Sequence, residues 1–130
     1  MVAAALRSRT GASFALLRAV QHGQLRMLAT PALFLEYEDV LKRPEQRQIS
    51  GLTLRDADLL LAELAALIEP VEVHLLWRPQ LRDANDEMVL EAAINGRADA
   101  LVTHNVRDFR AATPLFGIRL ARPIDMLKEL

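Results

Sequence analysis

The chain has 130 residues, 52% of them hydrophobic, no cysteine and a formal net charge of −1. That is the size of one domain with a single core, it excludes a disulfide framework or a thiolate metal site, and it gives no global reason to expect nucleic acid. No apolar run reaches the ~20 residues needed to span a bilayer. The N-terminal positive charges follow a small apolar stretch, the reverse of a secretory signal, so a soluble cytoplasmic protein is expected.

In chain order, residues 1 to 35 carry Arg7, Arg9, Arg18 and Arg26 and no acid. This basic flank beside a more acidic remainder suits a phosphate-bearing substrate, and equally a solvated helix face. Thr10-Gly-Ala-Ser13 precedes Phe14-Ala-Leu-Leu-Arg-Ala-Val20, whose spacing fits a short amphipathic helix with a polar cap. Leu25 to Ala29 reads as a strand. Thr30-Pro31 places a capping hydroxyl before a proline at the first helical position, and Pro44 should stop that helix near Arg43. Thr53-Leu-Arg-Asp56 is a second capping signature, opening a leucine-rich helix that ends near Ile68. Pro70-Val-Glu-Val-His-Leu-Leu76 alternates like a strand, and Asp83 can cap a helix ending near Asn95-Gly96. A strand at Ala100 to Thr103, another near Gly117 to Ala121 and a helix from Pro123 complete the pattern. Strands alternating with helices indicate an α/β fold with a parallel sheet covered on both faces.

Several acids occupy positions with a possible chemical use. Leu33, Glu36, Tyr37, Val40 and Leu41 share one helix face, so Glu36 lies in an apolar stripe, where a carboxylate must be paired, protonated or metal-bound. At the stripe's edge it would simply pair with an arginine. Asp83 and Asp86 have the spacing of a cap and its third residue, yet Asp86 also shares a face with Val89, Leu90 and Ala93, which points it inward. Thr103, His104, Asn105 and Asp108 stand where a β-branched strand gives way to a turn, the end of an α/β strand where ligands bind. Asn105 and Asp108 also suit an Asx turn. Such oxygen donors, with no thiolate and with His22, His74 and His104 scattered, suit Mg²⁺ or Mn²⁺ over zinc and point to metal-assisted phosphodiester hydrolysis.

Four stretches then carry a family likeness: Ala3-Ala-Ala-Leu-Arg-Ser-Arg-Thr-Gly-Ala-Ser13, Leu35-Glu-Tyr-Glu-Asp-Val-Leu-Lys-Arg-Pro44, Arg82-Asp-Ala-Asn-Asp-Glu-Met-Val-Leu-Glu-Ala-Ala93 and Ala98-Asp-Ala-Leu-Val-Thr-His-Asn-Val-Arg-Asp-Phe109. In this order they resemble the PIN-domain family, and within it the toxin components of bacterial toxin–antitoxin systems. The resemblance implies a three-layer α/β/α domain over residues 1–130 and a magnesium- or manganese-dependent ribonuclease. It assigns Glu36, Asp86, Asn105 and Asp108 to catalysis, and Glu36, Asp83, Asp86 and Asp108 to the metal. Thr103 matches the small hydroxyl residue of the site, and Arg7 and Arg9 are the candidate substrate contacts. It further implies a cognate antitoxin and a homodimer, with no membrane.

Family members begin with a strand ending in Asp-Thr-Asn, whose aspartate binds metal, whereas Met1-Val2-Ala3 begins just past that motif. The first strand and its acid are therefore expected to be missing, leaving neighbouring backbone groups unpaired and the chain poorly stable and weakly active until upstream residues are restored. The alternative function is a catalytically inactive interaction module. A receiver-type phosphate-handling domain is a third reading, weakened because Lys42 and Lys128 are the only lysines and neither is suitably placed.

Overall fold

A computed structural model describes residues 2–7, 11–75 and 79–130. At its centre is a parallel sheet of five strands, β1 (Val2–Arg7), β2 (Leu25–Ala29), β3 (Glu69–Pro70), β4 (Ala100–Thr103) and β5 (Arg119–Ala121), in the spatial order β3-β2-β1-β4-β5. The helices are α1 (Gly11–Gln21), α2 (Pro31–Lys42), α3 (Pro44–Ser50), α4 (Leu54–Leu67), α5 (Ala84–Asn95), α6 (Val106–Phe109) and α7 (Pro123–Lys128), with a 3-10 turn at Thr113–Phe116. α1 packs on α4 and α7, while α5 lies over β1, β2 and β4 and meets α2. The result is the three-layer α/β/α arrangement. Strands covered on both faces read as unbroken apolar runs, and Ala3 to Leu6 and Ala100 to Thr103 are all buried. The order also differs from the 2-1-3-4-5 of receiver-type folds, which removes that reading.

The expected gap at the first strand is corrected by the structure. Val2–Arg7 fills the middle of the sheet, with Ala4 opposite Met27 on one side and Ala100 on the other. Its alanines favour helix locally, but a parallel sheet with two facing edges overrides so weak a preference. The backbone groups at the strand's ends are not orphaned either. Near its start the Ala3 amide donates to the Asp99 carboxylate (2.8 Å), and the Asp99 amide donates back to the Ala3 carbonyl (2.7 Å). Near its end the pairing with β2 stops at Ala4, and the next group pointing that way, Leu6, meets a side chain of α2. The Leu6 amide donates to the Tyr37 hydroxyl (3.3 Å), and that hydroxyl donates to the Leu6 carbonyl. A phenol thus supplies the rung that β2 does not.

Local chemistry sets the helix starts as expected. Thr30 accepts from the Leu33 amide with Pro31 at the first helical position, and Thr53 with Asp56 forms a reciprocal capping box. The end of α5 departs from convention. A left-handed residue at a helix end is usually glycine, but here Arg97 adopts φ 52 while Gly96 stays right-handed. Gly96 is required for space: a Cβ there would lie 2.8 Å from Val71 Cγ2 and 2.9 Å from the Ala92 carbonyl.

The strand expected over Pro70 to Leu76 is much shorter. After Glu69–Pro70 the Val71 amide still donates to the Ala29 carbonyl (2.9 Å). The next donors are then captured by α5, where Asn95 Oδ1 accepts from the amides of His74 (2.8 Å) and Leu75 (2.7 Å). Residues 76–78 lie outside the described part.

Candidate functional site

The chain winds from β1 out to β3, then crosses to β4 on the far side of β1. In open α/β sheets the crevice at the strands' carboxyl ends, where the winding reverses, is the usual ligand site. Here that crevice lies between β1 and β4, which end level with each other at Arg7 and Thr103. α5 runs back toward the start of β4, so its first turn stands at the same edge. α2 springs from this edge after β2, and Tyr37 ties it to the end of β1.

Asp86 is the buried acid of this edge, 3% exposed on the first turn of α5. Its neighbours on that face, Val89, Leu90 and Ala93, are fully buried, so helical spacing drives the carboxylate inward. The positive end of the helix favours an acid there. Asp83 is exposed and caps the same helix, accepting from the Asn85 amide (2.8 Å). Thr103 is buried at the tip of β4, and its hydroxyl accepts from the Asn105 amide (3.0 Å). The Asn105 side-chain amide donates to Asp108, and both residues are exposed. Glu36 is half-buried, flanking the stripe formed by Leu33, Tyr37, Val40 and Leu41. Its charge also reaches Arg43, whose guanidinium is held above its ordinary pKa first by its hydrogen bond to Asp39, with Glu36 a lesser contributor.

The structure brings these residues to one edge without closing them into a cage. Among the described residues, no three His, Cys, Asp or Glu side chains are grouped so as to hold an ion. The donor set is all oxygen and fits a hard divalent cation in kind, but it falls short in number. The sequence after β1 runs Ser8-Arg9-Thr10, with no acid. The side chain of Arg7 and the whole of Arg9, the candidate substrate contacts, lie outside the described residues. Arg26, also part of the N-terminal basic flank, is tied to Glu69 on β3 (2.6 Å). That pair raises the arginine's pKa and lowers the carboxylate's, in each case chiefly through the hydrogen bond.

Two contributors escaped sequence reasoning. The Tyr37 hydroxyl was hidden because tyrosine counts toward an apolar stripe; the available signal was a phenol on a face that phenylalanine could have filled. Glu87 also fastens the approach to α5, accepting from the amides of Gln80 (3.1 Å) and Leu81 (2.9 Å).

A wholly parallel, doubly wound sheet with Asp86 buried at its switch-point edge defines an α/β domain with one candidate acid at the edge where such folds bind ligands. The chain belongs to the PIN-domain family, whose model matches residues 1–107 and so covers every element up to the start of α6. Comparison with curated proteins and with solved structures gave no match. PIN domains are generally nucleases that use divalent metal. Among the described residues no helix is long and apolar enough to cross a membrane.

Proposed function

We propose that this protein is an endoribonuclease working with Mg²⁺ or Mn²⁺, the toxin of a toxin–antitoxin pair acting in the cytoplasm and restrained by a cognate antitoxin. The single observation that carries the reading is Asp86, a carboxylate 3% exposed at the switch-point edge of a PIN-family sheet. A carboxylate so deeply placed is held only where partners or a bound ion offset its burial, and it stands at the edge where α/β sheets bind their ligands. Asp86 and Glu36 would hold the ion, with Asp83 and Asp108 completing the set of acids. Asn105 orients Asp108 through its side-chain amide, and Thr103 fixes the turn that carries both. A bound divalent ion would supply charge stabilisation on the phosphate under attack. The homodimer belongs to the same reading.

A second reading, an inactive module that retains only binding, is favoured by two observations: Ser8-Arg9-Thr10, directly after β1, holds no acid, and no three described acids form a common site. The test is cleavage of a structured RNA with Mg²⁺, Mn²⁺ or chelator, comparing the protein with Asp86→Asn. Cleavage abolished by chelator and reduced at least about 100-fold by the substitution, roughly 2.7 kcal/mol of barrier, supports the nuclease. Binding without cleavage supports the module. Cleavage indifferent to both changes defeats the metal-dependent reading.

A further inference from the structure

Several basic side chains near an acid in this protein pair with it, as Arg43 does with Asp39 (2.6 Å), Arg122 with Asp125 (3.2 Å) and Lys42 with Asp58 (2.9 Å). Arg82, Arg107 and Arg110 do not, a state they share with Arg18, Arg55 and Arg97, and what sets the first three apart is their place in the fold. All three are exposed, and among the described residues none forms an ion pair, although Asp83 and Asp108 are their sequence neighbours. The cause is local. Residues one or two apart on a helix do not face each other, Asp83 is turned to the Asn85 amide, and Asp108 is turned to Asn105. Three permanently charged guanidiniums are therefore left to solvent. Arg82 stands just ahead of the α5 cap, and Arg107 and Arg110 lie in and just after α6, which follows β4 directly. All three belong to the edge that carries Asp86.

We propose that Arg82, Arg107 and Arg110 grip the sugar–phosphate backbone of single-stranded RNA as it crosses the candidate site. This rests on the nuclease reading above. A guanidinium presents a planar fork that matches a phosphate's oxygens. Phosphates recur regularly along a flexible strand, so separate arginines on one edge can each take one without a preformed pocket. An acidic peptide would bring single carboxylates and would need apolar anchors to hold it.

The test is anisotropy of a labelled single-stranded RNA with chelator present, so that binding is read without cleavage. The triple variant R82Q/R107Q/R110Q is compared with R18Q/R97Q/K128Q, which removes equal charge from exposed basic residues in the last turns of α1 and α7 and the turn before β4, at the opposite edge of the sheet. Each lost phosphate contact lowers the slope of log affinity against log salt by about 0.7 for single strands. The edge triple should therefore lose about 2 in slope and the control triple less than half of that. Single Arg107→Gln, with an expected loss of about 0.7, stands in if the triple fails to fold. Equal losses in both triples, no loss in the edge variant, no binding by the parent, or equal competition by polyglutamate would overturn the proposal. A parent that binds with the expected slope yet never cleaves would defeat the nuclease reading alone.

Discussion

Tyr37→Phe removes one oxygen atom, and the structure says what that oxygen is for. It takes the Leu6 amide and serves the Leu6 carbonyl where β1 parts from β2. Leu6 is 2% exposed and Tyr37 6%, so water has no easy route to replace it. Two buried backbone groups left without a partner cost about 1–3 kcal/mol each. Phenylalanine escapes the desolvation of a hydroxyl, which offsets about 1–2 kcal/mol, leaving a net loss of about 1–4 kcal/mol. For a domain of this size each kcal/mol moves the melting temperature by about 4 °C, so a fall of about 4–16 °C is expected. Urea unfolding followed by circular dichroism measures the energy, and hydrogen exchange at the Leu6 amide measures the cause. A loss under about 0.5 kcal/mol with Leu6 still protected would refute the assignment of the phenol as a rung of the sheet.

At the end of α5, Gly96→Ala should destabilise by about 1–3 kcal/mol, because the new methyl meets the backbone carbonyl of Ala92 as well as Val71. Arg97→Gly should stabilise by about 0.5–1 kcal/mol by relieving a positive φ; denaturant midpoints check both, and the same sign for the two would contradict the division of labour between these residues. In acid, Asp56 is held below its ordinary value of 3.8, first by the Thr53 backbone amide, and Glu69 below 4.5, first by Arg26. Each folded pKa lies under the unfolded one, so the stability they contribute is present above those ordinary values and drains away as pH falls through the folded ones. Stability curves below about pH 5 should therefore be shallower for Asp56→Asn/Glu69→Gln than for the parent.

What was legible in the sequence was local. Thr30-Pro31, Thr53 with Asp56, and Asp83 announce helix starts because a cap needs only residues within one turn, and the structure forms all three. The inward face of Asp86 was legible too, since Val89, Leu90 and Ala93 repeat it at helical spacing. β1 was not, because alanines speak weakly for any structure and a central strand is chosen by the neighbours it joins. Nor was the end of β3, where Asn95 competes for backbone donors from some twenty positions away. The shared edge of the acids follows from strand order, which periodicity does not contain. How closely their oxygens approach depends on side-chain turns such as those of Asp83 and Asp108, decided by nearby backbone and amide partners.

The capture of His74 and Leu75 by Asn95 bears on what one flank of the sheet presents to other chains. An outer strand with free amides invites a second chain to add on. Here the outer strand is two residues long, one of them is a proline with no amide to offer, and an asparagine on the helix behind occupies the donors that would follow. The β3 flank of the sheet thus offers another chain almost no backbone to pair with.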